Sequence, residues 1–332
     1  MKRDIRIDAL RAIGIMLIML AHVSPPRIIF EFRSFDVPLM SFLMGMSFML
    51  SSRKKNASEI SYSNYINKRF KRLIIPALVF ITFFLFVMYI GSQILSINFP
   101  YTISDVLNSY TLLSGIGYVW IIRVFFLISL LSPFILRTSL KFKSTFSKTV
   151  FIFILLSLHF LVLQVGTFFH PSLQFLYDEI IATTVGYGIA ALIGMWAVNQ
   201  THQENIQLSA YFFLIFIVMG YINNFDLLSS NKYPPTIYFI TYGIGLSLLL
   251  FFIFSHNKIR HFFSSDITQW LSAHSLEIYY WHIFPVVIIN SVIPELNWIL
   301  QYIIVILFAL LATYLQLKFI PGFFNLRFST AR

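Results

Sequence analysis

The chain has 332 residues, 58% of them apolar, 18% aromatic and only 11% charged, with 24 Lys and Arg against 13 Asp and Glu for a formal net charge of +11. A soluble domain carries about 25% charged residues, so this composition excludes a water-soluble globule and indicates an integral membrane protein. The lack of cysteine excludes disulfides, thiolate metal sites and a cysteine nucleophile, and the basic residues, which flank hydrophobic runs, report topology rather than nucleic-acid binding.

The apolar runs are continuous rather than alternating, which predicts helices and not a closed barrel. An all-α bundle of about ten transmembrane helices is expected, over residues 8–24, 35–52, 70–91, 117–137, 148–166, 178–198, 208–223, 235–255, 274–293 and 297–320. The amino terminus, with Lys2, Arg3 and Arg6, imitates a signal peptide. Arg11 interrupts its apolar core and Pro25-Pro26-Arg27 is a poor cleavage context, so it reads as a retained first helix. With that terminus inside, inner segments carry Arg53, Lys54, Lys55, Lys68, Arg69, Lys71, Arg72, Arg137, Lys141, Lys143, Lys148, Lys258, Arg260, Lys318, Arg327 and Arg332, while outer loops carry only Arg27, Arg33 and Lys232. This bias puts both termini in the cytoplasm. The inner loop 199–207 lacks Lys and Arg, so segments six and seven have a second reading as one re-entrant unit. The outer loop 92–116 has room for at most a short surface helix.

In the first segment, Arg11 and His22 are ionisable groups inside a membrane helix, a functional-site hypothesis in itself. Eleven positions apart, they fall within about 20° of one face and about 16 Å along the axis. The bland alternative is that Arg11 snorkels to the inner headgroups and His22 anchors the outer interface. Arg69 and Arg72, at the start of the third segment, suit a phosphate, which guanidinium groups grip with fork geometry; the positive-inside attraction to anionic lipid is the bland alternative and explains most basic clusters at helix ends. Arg123 lies inside the fourth segment, where an isolated cation is costly, and Asp8, Glu277 or a bound anion are its expected counter-charges. His261 and Asp266 have the His-x4-Asp spacing of glycerolipid acyltransferases without that family's other motifs. No Walker loop, Gly-x-Ser-x-Gly elbow, dinucleotide fingerprint or His-Glu-x-x-His motif occurs, and His159, His170, His202, His256 and His274 lack ligand spacing, so no metal is expected.

Arg11-x10-His22, Arg69-x-x-Arg72 and Ser275-Leu-Glu-Ile-Tyr279-Tyr-Trp281-His282 together resemble the acyltransferase-3 family, membrane enzymes that acylate bacterial surface glycans. Val37-Pro38 through Gly45 and Tyr118-Val-Trp120 through Pro133 are similar to further family stretches. The resemblance implies one transmembrane acyltransferase domain over residues 1–332, a bacterial cytoplasmic membrane, and acyl-CoA, chiefly acetyl-CoA, as donor substrate with no tightly bound cofactor. It makes His22 the central catalytic residue, as general base or transient acyl carrier. Arg11 assists it and, with Arg69 and Arg72, meets the CoA phosphates. Trp120, Arg123, Ser275, Tyr279 and His282 become candidates for transition-state or acceptor contacts; Trp120 and Tyr279 also suit membrane interfaces, and His282 suits a structural role. Many relatives append an SGNH-type domain. None is seen here, so the acyl group is expected to pass directly to a surface glycan or its lipid-linked precursor, or to a separate partner protein. A flippase for lipid-linked saccharides, in which the arginines bind pyrophosphate and no bond changes, is the competing reading; it would show paired interrupted helices, and none is apparent.

Overall fold

The computed structural model describes residues 4–52 and 61–324, and Lys2, Arg3, Arg53, Lys54, Lys55, Arg327 and Arg332 of the charge pattern lie outside the described residues. α1 (Ile5–Ala21) starts where Asp4 accepts the N–H of Arg6 at 3.0 Å and ends where Ser24 takes a left-handed φ of 48° ahead of Pro25. α2 (Arg27–Phe32) and a 3-10 turn (Arg33–Phe35) lead into α3 (Asp36–Ser52). Next come α4 (Tyr62–Ile94), α5 (Ile103–Thr111), α6 (Trp120–Ser139), α7 (Thr145–Gly166) and α8 (Pro171–Tyr177). A π turn (Asp178–Ala182) carries α8 into α9 (Thr183–Ala197), followed by α10 (His202–Ile222) and α11 (Ile237–Ile253). The chain closes with α12 (Asn257–Phe262), α13 (Asp266–Ala273), α14 (Ser275–Val292) and α15 (Trp298–Phe319). Reciprocal capping boxes, Thr102 with Asp105 and Thr201 with Glu204, fix the starts of α5 and α10.

Each predicted segment coincides with one of these helices, and seven of the resulting elements are long and apolar enough to cross a membrane: 27–52, α4, α6, α7, 171–197, α10 and α15. α1 and α11 have 17 residues and α14 has 18. The ends differ where hydropathy and helicity diverge. α4 starts eight residues before the predicted 70 because its polar lead-in, including Lys68, is helix-compatible though not membrane-compatible. Segments six and seven are two helices, α9 and α10, each within an element long and apolar enough to cross a membrane, and segment six is preceded by α8.

The described residues fall into two compact units, one within Met1–Glu59 and Leu130–Ser275, the other within Ile60–Ser129 and Leu276–Arg332. In the first, α9 and α11 form the centre. Every residue of α9 but Val185 is buried, as expected for a helix apolar all round, and α11 touches α1, α3, α7, α9 and α10. α7 and α10 instead expose Phe153, Leu161, Leu214 and Ile217, the faces a bilayer would cover. In the second unit, aromatic rings join α4 to α14: Tyr280 stacks on Phe80 at 4.8 Å between centroids and Phe84 meets Phe284 edge-on at 5.0 Å.

The tightest seam is between α3 and α9. A Cβ at Gly45 would fall 1.9 Å from the Ala191 carbonyl oxygen, and one at Gly194 would fall 2.0 Å from the Phe42 carbonyl oxygen. Small residues let the two backbones touch, the contact that dispersion favours in a membrane bundle. Gly194→Ala is therefore expected to cost about 1–3 kcal/mol by overpacking, read as an earlier thermal unfolding transition in detergent; Gly188→Ala, on the same helix with nothing within 4 Å, should unfold as the unaltered protein does.

Candidate active site

Arg11 and Asp8 stand three apart on α1, on one side of the helix. Asp8 is 3% exposed and Arg11 is half-buried. The Arg11 guanidinium donates to Ser47 Oγ on α3 at 2.8 Å and to Ser272 Oγ at the end of α13 at 3.1 Å. Ser272 Oγ in turn donates to Asp8 Oδ1 at 2.6 Å. The polarity is consistent from cation through hydroxyl to anion, so the embedded charges are compensated and the guanidinium is held in one orientation by two other helices. Arg6 completes this end of the unit, donating to Ser255 Oγ at 3.2 Å and lying 4.3 Å over the Phe251 ring.

At the other end of α1, His22 is the C-cap rather than a residue of the helix interior: its φ and ψ are −101° and 5°, and its N–H donates to the Met19 carbonyl at 3.1 Å. The predicted run to residue 24 thus closes three residues early, where Ser24 and the two prolines stop the helix. His22 still follows Arg11 by three turns, about 16 Å along the axis. The turn after it is fastened. Glu31 accepts from the N–H and Oγ of Ser229 at 2.9 and 2.6 Å, and the Tyr242 hydroxyl donates to the Phe32 carbonyl at 2.6 Å. Buried Arg33 donates to Asp36 at 2.7 Å, and Lys232 lies 3.6 Å from the same carboxylate. Burial pushes the Lys232 ammonium down, against the pull of Asp36.

In the second unit, Arg69 and Arg72 lie two to three turns inside α4 rather than at its opening, because the helix begins at Tyr62. Arg69 rests 5.1 Å over the Tyr65 ring, Arg72 is exposed, and Glu277 at the start of α14 is within electrostatic range of Arg72. Arg72 and Glu277 are thus brought into one neighbourhood, where the cation keeps an outward-facing surface.

The remaining predicted residues of this unit gather around one stretch of backbone. Buried Arg123 donates to the Leu112 carbonyl at 2.6 Å, and the Tyr279 hydroxyl donates to the Tyr118 carbonyl. Between them Gly115 has a φ of +86°, a Cβ there would sit 2.2 Å from Ser109 Oγ, and that hydroxyl accepts the N–H of Ile116 at 2.9 Å. The loop 112–119 is therefore held at both ends. Burial pushes the Tyr118 phenol up, so it remains neutral. Trp120 opens α6, half-buried, two residues beyond Tyr118. His282 is fully buried, its Nδ1 bonded to the Tyr279 carbonyl, which suits a structural role. Ser275, in the first unit, is the half-buried first residue of α14.

Ser47 and Ser272, the two hydroxyls that hold Arg11, do not stand out in the sequence. The available signal was the Asp8–Arg11 spacing itself, an i,i+3 acid and base on one apolar helix whose remaining hydrogen-bonding capacity needs polar partners on neighbouring helices.

A family model described as an acyltransferase domain matches residues 4–317. No curated protein matches the chain.

Removing the bridging hydroxyl should be expensive. Ser272→Ala leaves Asp8 Oδ1 without that donor and is expected to cost about 1–3 kcal/mol, whereas Ser272→Thr keeps it; the thermal unfolding of both variants in detergent checks this.

Proposed function

Because this chain belongs to the acyltransferase-3 family, we propose that it is a membrane O-acyltransferase that moves an acetyl group from cytoplasmic acetyl-CoA to a hydroxyl of a cell-surface polysaccharide or its lipid-linked precursor. The observation that carries the reading is the arrangement on α1: an embedded guanidinium oriented by Ser47 and Ser272, with an imidazole three turns further along. A simple positive-inside anchor would need no such hydroxyl cradle. In this reading the protein is a ten-span protein of the bacterial plasma membrane with both termini in the cytoplasm, as the distribution of Lys and Arg favours.

Arg69 and Arg72 take phosphate oxygens of the donor, and the exposure of Arg72 supports that role. Arg11 supplies a fixed positive charge on the donor side of His22. At His22 an imidazole nitrogen accepts the proton of the acceptor hydroxyl as its oxygen attacks the thioester carbonyl. The C–S bond then breaks, the acyl group stays on the acceptor oxygen, and the imidazolium returns its proton to the departing thiolate. In the acyl-carrier variant, the imidazole nitrogen attacks first and passes the acyl group to the hydroxyl in a second step. Both routes require the ring. Trp120, Arg123 and Ser275 stand as donors toward the thioester oxygen or the acceptor, Tyr279, whose hydroxyl hydrogen goes to the Tyr118 carbonyl, as a contact that accepts from the acceptor, and His282 as the support of Tyr279.

Two outcomes test this function. Acetyl-CoA and CoA at a hundred times their dissociation constants should stabilise the purified protein by about 2.7 kcal/mol, an unrelated nucleotide should not, and Arg69→Ala with Arg72→Ala should abolish most of the gain. Equal unfolding temperatures with and without CoA, in folded protein, would favour a lipid-linked saccharide flippase. His22→Ala should keep CoA-dependent stabilisation and lose transfer of radiolabelled acetyl to membrane glycan; full transfer by that variant would remove His22 from the centre.

A further inference from the structure

Within the second unit an apolar cavity of about 450 Å³ opens among α4, α14 and α15. Its walls are aromatic and aliphatic, among them Phe83, Trp281, Phe308, Leu311, Phe319 and Phe323. The polar lining is a pair that satisfies itself: Trp281 Nε1 donates to Gln316 Oε1 at 2.7 Å. Nothing in this lining suits a glycan or a nucleotide, which would bring hydroxyls or phosphates without partners into it. A hydrocarbon chain costs nothing of the kind. Leu311, Leu315 and Phe319 are exposed on the same stripe of α15, so the slot opens sideways on the face that a bilayer covers.

Its length and its charge narrow the occupant. Phe308 and Phe319 are eleven residues apart on α15, about 16 Å along the axis, the depth of one leaflet of a hydrocarbon core about 30 Å thick. At the α15 terminus a cation sits at the rim: Lys318 Nζ lies 5.4 Å from the centroid of the Phe319 ring, itself a wall of the cavity. A basic residue at the mouth of an apolar cleft between membrane helices is the arrangement that selects anionic headgroups. We infer that this slot is a binding site for an anionic phospholipid, one acyl chain lying along α15 between Phe308 and Phe319 and the phosphate meeting Lys318. The inference stands independently of the acyl-transfer reading, since the slot lies within the second unit and uses none of the residues assigned to the donor, the imidazole or the acceptor.

The test is native mass spectrometry of the full chain in detergent, titrated with dioleoyl phosphatidylglycerol and, separately, with dioleoyl phosphatidylcholine. One phosphatidylglycerol should remain bound at low lipid concentration, phosphatidylcholine should bind more weakly, and Lys318→Gln should weaken phosphatidylglycerol about fivefold, the effect of one lysine near an anionic surface. Ala312→Trp, which fills the slot, should release both lipids. Lys318 is exposed, so its variant reports even if the filled slot perturbs folding. Indifference to headgroup in the wild type together with an unchanged affinity in Lys318→Gln would overturn the site, as would full retention in folded Ala312→Trp, which would mean peripheral lipid. A polyprenyl phosphate displacing phosphatidylglycerol from the purified protein would overturn the choice of occupant.

Discussion

An arginine that lies inside an apolar helix must be compensated before anything else around it can be arranged. In this protein the compensation runs through a hydroxyl: Arg11 to Ser272 to Asp8, with Ser47 taking a second guanidinium hydrogen. The bonds through Ser272 and Ser47 make α13 and α3 parts of the same electrostatic unit as α1, which packs against both helices. The short helix α13 has eight residues, too few to persist alone, and this network fastens its end to α1.

The helices themselves were legible because a bilayer reads hydropathy, and the chain carries hydropathy in long unbroken runs. Their ends were less so. α4 continues as a helix through Lys68, Arg69 and Lys71, where hydropathy has already fallen, since helix propensity and membrane affinity are separate properties of the same residues. α1 stops short because Ser24 and Pro25-Pro26 end it after the apolar run has nominally finished with His22. α2, α12 and α13 have no apolar run of their own and left little trace in the sequence.

The candidate site was legible in part. Arg11, Arg69, Arg72 and Arg123 announced themselves as charges beside or within apolar runs, and His22 by its spacing from Arg11. What those residues touch was not legible. Tyr279 and Arg123 read as candidate contacts to a substrate; that each also reaches a backbone carbonyl of the loop 112–119 had no sign in the sequence. Serine hydroxyls and peptide carbonyls are the commonest polar groups in any chain, so a network built from them leaves no pattern until the backbone is folded.

The glycine seam between α3 and α9 bears on how this part of the molecule can move. Gly45 meets the Ala191 carbonyl and Gly194 meets the Phe42 carbonyl with no side chain interposed, so the two backbones are in direct contact along the seam. α3 and α9 therefore behave as one rigid pillar in the unit that holds Arg11 and His22, and a displacement of either helix carries the other with it.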